Sequence, residues 1–147
     1  MRRRLEQLWA LAPWERRLLV RLVMLLPAIG AALHLLGFKR TRDLLARLAP
    51  TSGGRNQGAA ESTADEAQRI ARLVGIAAHH GPYRATCLRQ SLALWWLLRH
   101  RGIPVELRLG VCMDGGELQA HAWVEHEGMA LSGGSDLSSR FAAFHGL

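Results

Sequence analysis

The chain has little cysteine: Cys87 and Cys112 are the only two among 147 residues. That excludes a disulfide scaffold, and neither cysteine has metal-ligand spacing around it. No metal and no cofactor is implied. A reducing, cytoplasmic setting fits this cysteine usage. RNA- and DNA-binding motifs are absent, so nucleic acid is the weakest of the acidic partners that a net charge of +7 would suit. Long apolar runs are scarce. The one long run, residues 22–36, is interrupted by Pro27, Gly30 and His34 and falls short of the roughly twenty residues that span a bilayer. A secretory signal is not expected, because Glu6, Glu15, Arg16 and Arg17 precede that run and no small-residue cleavage site follows it cleanly. No internal repeat is visible.

What is present begins with charge. Ten of the nineteen Lys and Arg lie in residues 1–47. Such asymmetry suits an acidic partner or an anionic membrane surface. We expect residues 22–36 to form a buried or partner-facing helical hairpin, with a membrane-surface segment as the minority reading and no membrane crossing expected at that length. Residues 1–49 read as helical throughout. Pro13 suits a first helical turn and Glu15 places negative charge near the helix start. Leu18, Leu19, Leu22, Val23, Leu25 and Leu26 form a broad apolar face. Pro27 is expected to kink or end that helix. A further helical stretch is expected over residues 41–48, with Thr41 as its cap.

Residues 50–60 read as a linker, because Pro50, Thr51, Ser52, Gly53, Gly54, Asn56 and Gly58 have almost nothing to bury. The expected organisation is therefore an N-terminal helical region over 1–49, a linker over 50–60 and a core over 61–147. In the core, Thr63-Ala64-Asp65-Glu66 has capping-box spacing. Ala67, Ile70, Val74 and Ala77 follow at helical intervals, and Gly81-Pro82 ends the helix. A second helix runs from about Thr86 to Arg101, with Gly102 as its cap. The period then changes. Val105, Leu107, Leu109 and Val111 alternate with Glu106, Arg108 and Gly110 as in a half-buried strand. Asp114-Gly115-Gly116 marks a hairpin turn. A return strand over 118–125, a turn at Glu127-Gly128 and a short strand over 129–131 follow. Residues 136–144 are expected to form a last short helix. Helices segregated from an antiparallel meander make the fold class α+β.

Two residues stand in a chemical context. Cys87 opens a helix, where unpaired backbone N–H groups and the helix dipole favour a negatively charged sulfur. Arg84 and Arg89 add positive charge nearby. The same N–H groups suit the oxyanion of a tetrahedral intermediate. His121 lies on the return strand, 34 residues later. Alternation puts Gln119, His121, Trp123 and Glu125 on one face and Leu118, Ala120, Ala122 and Val124 on the other. A thiol and an imidazole brought together by helix–strand packing make a nucleophile with its general base. Taken singly, each has a bland alternative: a cysteine is commonly a buried apolar residue, and a strand histidine a packed one. Cys112 reads as structural. A group that orients the imidazole is left open between Asp136, fifteen residues after His121, a backbone or amide partner, and Glu125 or Asp114. Trp123 shares the His121 face and is a candidate wall of the substrate cleft. Ser91, one turn after Cys87, is a second candidate there, or a packed helix serine. Trp95 and Trp96 read as core.

The run Thr86-Cys87-Leu88-Arg89-Gln90-Ser91-Leu92-Ala93-Leu94, then Leu97-Leu98-Arg99-His100-Arg101-Gly102-Ile103-Pro104, resembles the stand-alone leader peptidases of lasso-peptide biosynthesis, which are transglutaminase-like cysteine proteases. The likeness resumes at Ala120-His121-Ala122-Trp123-Val124-Glu125 and fades through Arg140-Phe141. It implies a transglutaminase-like, papain-like core with Cys87 as nucleophile and His121 as base. It also implies a precursor peptide as substrate, a separate leader-recognition protein and an ATP-dependent macrolactam synthetase as partners. The basic N-terminal helices would be candidates for docking the partner or the leader. The acid that this family commonly carries after the His strand falls near Gly133, which has no carboxylate. Two other functions use the same features: transglutaminase-type acyl transfer to an amine, and a non-enzymatic membrane-surface adaptor built on residues 1–49.

Overall fold

In the computed structural model, residues 12–49, 60–80, 85–132 and 141–143 are described. The first helix, α1, spans Pro13–Leu48. Its start follows from sequence: Pro13 takes the first helical position, and the Glu15 carboxylate accepts a hydrogen bond of 2.8 Å from the Ala12 backbone N–H. The helix does not end at Pro27, one of the two outcomes expected there, a kink or an end. Leu22, Leu26 and Ile29 are buried on either side of it, and their burial outweighs one lost backbone hydrogen bond. The break comes instead at Gly37, with φ 77° and ψ 172°. Glycine adopts that positive φ at little cost. Thr41 is not a cap. Its side chain is fully buried and its Oγ1 donates a 2.8 Å hydrogen bond to the Gly37 carbonyl, covering an acceptor that the break exposes.

Helix α2 spans Ala60–His80 and α3 spans Cys87–His100. The start of α2 precedes the expected one by three residues, so Thr63 is not its cap and Glu66 serves elsewhere. Its carboxylate takes a 2.6 Å ion pair from Arg101, which also lies over the Trp14 ring, tying the end of α3 to both α2 and α1. Helix α3 ends as its sequence indicates. Gly102 has φ 76°, its N–H reaches the Arg99 carbonyl at 3.0 Å, and the Ile103 N–H reaches Leu98 at 2.9 Å.

Strands β1 (Glu106–Asp114) and β2 (Glu117–His126) form an antiparallel hairpin closed by Gly115 and Gly116, both at positive φ. Glu127 and Gly128 turn the chain in the same way into β3 (Met129–Ala130). A fourth strand, β4 (Ala142–Ala143), pairs with Gly110 and Val111, giving the sheet order β3-β2-β1-β4. This corrects the helix expected over 136–144 at residues 142 and 143. An unpaired edge of β1 offers backbone hydrogen bonds that two alanines can take without a helical face to bury. Residues 133–140 lie outside the described set.

The three helices share one core. Leu18, Leu22, Leu26, Ile29 and Leu45 of α1 cluster with Ile70 and Val74 of α2, with Leu92, Leu94 and Leu98 of α3, and with Val124 of β2. A second, smaller cluster joins Trp123 and Phe141 on the other face of the sheet. The architecture is α+β, with helices packed on a small antiparallel sheet behind an N-terminal helix.

Candidate active site

Cys87 is the first residue of α3 and is partly exposed. The residue before it, Thr86, is extended, and its hydroxyl caps nothing. The first-turn N–H groups of α3 therefore keep no side-chain acceptor from Thr86, which suits an oxyanion site. Ser91 lies one turn on, on the same side of the helix as Cys87. Its Oγ donates a 2.8 Å hydrogen bond to the Ala122 carbonyl, the residue next to His121. This bond fastens the start of α3 to the middle of β2. Cys87 then lies about one helical turn, roughly 6 Å along α3, from that point. Cys87 and His121 thus belong to elements that are tied together at Ala122, with the His121 ring packed toward Trp123 and Phe141. They are not hydrogen-bonded to each other in this structure.

The Ser91 hydroxyl is consumed by this role. Its side chain is only 3% exposed, so it acts as a strut rather than lining a cleft. Ser91→Ala should leave the Ala122 carbonyl buried and unpaired, costing about 1–3 kcal/mol. Urea denaturation would read that loss.

His121 is half-buried. Burial away from water lowers its pKa below the ordinary imidazole value. Its ring is flanked by two others. Trp123 lies 6.3 Å away at 16°, and Phe141 lies 5.3 Å away at 32°. Trp123 is wholly enclosed, so it supports the His121 ring and presents no wall to a substrate. Its indole N–H, which needs a partner when buried, donates to Glu125 Oε1 at 2.8 Å. The other Glu125 oxygen accepts from Arg108 Nε at 3.1 Å, and Arg108 also pairs with Glu106 at 2.7 Å. Glu125 is therefore committed to Trp123 and Arg108, not to His121. Among the described residues no group hydrogen-bonds the His121 ring. Asp136 lies outside the described residues, as do Tyr83, Arg84 and Gly133.

Gly110 faces His121 across the β1–β2 pair. A Cβ there would stand 2.9 Å from the Trp123 ring and 3.0 Å from both Phe141 Cβ and the Ala142 carbonyl. Gly110→Ala should push the aromatic support apart and destabilise the fold by about 1–3 kcal/mol. A urea titration, with tryptophan fluorescence reporting on Trp123, would measure it. Phe141 and Gly110 are the site residues that sequence reasoning passed over. A glycine inside an alternating strand was the available signal, since it marks close approach. Phe141 gave none, because it reaches the site only by tertiary packing.

Arg89 extends from the first turn of α3 onto α1. Its guanidinium lies against Gly30, where a Cβ would come within 2.9 Å of Cζ. The other histidines stand apart. His126 ends β2; it is buried, and its Nδ1 donates to the Pro104 carbonyl at 2.8 Å. Among the described residues no cluster of three or more His, Cys, Asp or Glu could hold a metal.

A helix that begins with a cysteine, packed on a strand that carries a histidine, suits a thiol acyl-transfer enzyme. The description Transglutaminase-like superfamily matches residues 32–145, most of the chain. The chain belongs to the transglutaminase-like superfamily. The match takes in α3, the whole sheet and the second part of α1. Curated proteins and solved structures give no match. Membership supports the cysteine peptidase and acyl-transferase class of chemistry in this transglutaminase-like chain, with Cys87 and His121 as the candidate pair.

Proposed function

We propose that this transglutaminase-like protein is a cysteine peptidase that removes the leader from a ribosomally made lasso precursor peptide. The observation that carries the reading is Cys87 at the N-terminus of a helix that Ser91 ties to Ala122, on the strand that carries His121, within sequence runs that resemble the lasso leader peptidases. In this mechanism His121 takes the thiol proton and Cys87 Sγ attacks the carbonyl at the leader–core junction. Backbone N–H groups at the start of α3 hold the oxyanion. Collapse breaks the C–N bond, and His121 returns its proton to the leaving amine of the core peptide. Water, deprotonated by His121, then releases the leader as a carboxylate and restores the thiol. No cofactor is required.

The chain acts, in this reading, in the cytoplasm with a separate leader-recognition protein that holds the precursor. An ATP-dependent macrolactam synthetase follows and closes the ring. The test is to incubate full-length protein, precursor and leader-recognition protein and weigh the products. Two fragments whose masses sum to precursor plus one water support hydrolysis. An intact precursor overturns the proposal. Loss of ammonia with an isopeptide link would instead identify acyl transfer to an amine, the second reading, which uses the same pair with a different acceptor.

A further inference from the structure

Helix α1 buries one side and leaves another bare. Leu18, Leu22, Leu26 and Ile29 are at most 5% exposed, whereas Val20, Met24 and Leu35 are 65%, 73% and 79% exposed. Ala28 and Ala31 are exposed between them. At 100° per residue these five side chains fall within an arc of about 80°, along about 22 Å of helix. Arg17 continues the stripe at one end with Arg21 beside it, and Lys39 and Arg40 follow the break at Gly37; all four are exposed. The charge of the whole chain is concentrated here. Residues 1–49 hold ten basic and three acidic residues, while the remainder holds nine of each. All of the net charge of +7 thus belongs to the segment that carries the stripe.

We propose that α1 seats the protein on an anionic lipid surface. Val20, Met24, Ala28, Ala31 and Leu35 enter the boundary between headgroups and acyl chains, and Arg17, Arg21, Lys39 and Arg40 meet lipid phosphates. An apolar arc with basic flanks is what a helix lying in that interface needs, at a depth of about 5–10 Å. The long stems of arginine and lysine let the charges reach headgroups while the stripe lies below them. By length and composition α1 could cross a membrane. Crossing would strip Leu18, Leu22, Leu26 and Ile29 from the core they share with α2 and α3, so the helix lies flat instead. A protein partner fits less well. The centre of the stripe is two alanines, without the tryptophan or tyrosine anchors that are enriched at protein interfaces, and its basic residues lie only at the ends. Gly30, against which Arg89 packs, points to a different side of α1, so the lipid seat leaves α3 uncovered. The seat does not depend on the peptidase reading.

The experiment is co-sedimentation of the full-length protein with vesicles of phosphatidylglycerol and phosphatidylcholine, and with phosphatidylcholine alone. Binding should be at least about tenfold tighter to the anionic vesicles and should weaken with salt. Met24→Glu with Leu35→Glu should weaken it by about tenfold or more, because two charges would enter the acyl boundary. Far-UV circular dichroism checks that this variant is folded. Lys39→Gln with Arg40→Gln, at two exposed positions, should weaken anionic binding independently. Cys87→Ala should bind like the unaltered protein. Equal affinity for both vesicle types, or no affinity for either, overturns the proposal. So does unchanged binding by both pairs of variants. Self-association in solution that Met24→Glu with Leu35→Glu abolishes, without vesicle binding, would make a second copy the occupant and overturn it too.

Discussion

Cys87→Ala should reduce precursor cleavage to background while leaving the fold intact. The side chain is partly exposed at the helix start and makes no hydrogen bond, so removing its sulfur empties no packed cavity. The loss is chemical: in the proposed mechanism it is Cys87 Sγ that forms the acyl intermediate. Cys112→Ala is the control. Cys112 sits on β1 beside the Trp123 and Phe141 cluster, far along the chain from the start of α3, and its replacement should keep most activity. Thermal unfolding of Cys87→Ala should match the unaltered protein. Cleavage by Cys87→Ala at an undiminished rate, with the leader-recognition protein present, would remove Cys87 from the mechanism.

His121→Ala should lower the cleavage rate by about 10²–10⁴-fold, because proton transfer at the thiol and at the leaving amine both pass through it. Its pH behaviour follows from burial. A lowered pKa keeps the imidazole neutral, and so able to accept the thiol proton, to pH values below the ordinary 6.5. The acid limb of the rate profile that reports His121 should therefore lie below that value. The sign for stability is the reverse of a paired histidine. The unfolded chain binds this proton more readily than the folded one, so stability rises with pH between the folded and the ordinary value. Below both values His121 costs stability, and well above them it contributes nothing. Nuclear magnetic resonance titration of the ring would give the value directly; one above the ordinary value would refute the burial account. Asp136→Asn should have a smaller effect than His121→Ala. An equal loss in a folded protein would make Asp136 the group that orients the ring.

The support around His121 shows why the third member of the site could not be read from the chain. Alternation correctly placed His121, Trp123 and Glu125 on one face. It could not say that the Glu125 carboxylate would turn to the Trp123 indole and to Arg108. That choice depends on which donors burial leaves needing a partner, and burial is set by Phe141 and β4 arriving from the end of the chain.

Local chemistry was legible wherever the decisive interaction spans a few residues. Pro13 and Glu15 begin α1, Gly102 ends α3, and Gly115-Gly116 and Glu127-Gly128 close the turns, because caps and turns are settled within four or five residues. The switch from period 3.6 to period 2 after Pro104 likewise revealed the α+β order. Pro27 does not end α1, because the penalty of a proline is local while the burial of Leu22, Leu26 and Ile29 that offsets it is not. Thr63 misled for the same reason, since Glu66 is drawn to Arg101 at the far end of α3. The sequence by itself determined most of the helices and the β1–β2–β3 meander, though not β4, and the local setting of Cys87 at a helix start and His121 on a strand. Only the tertiary structure decided which side of α1 is buried, that Ser91 ties α3 to β2, and that aromatic rings flank His121. Those contacts join residues tens of positions apart, and their energy exists only once the helices and the sheet have packed.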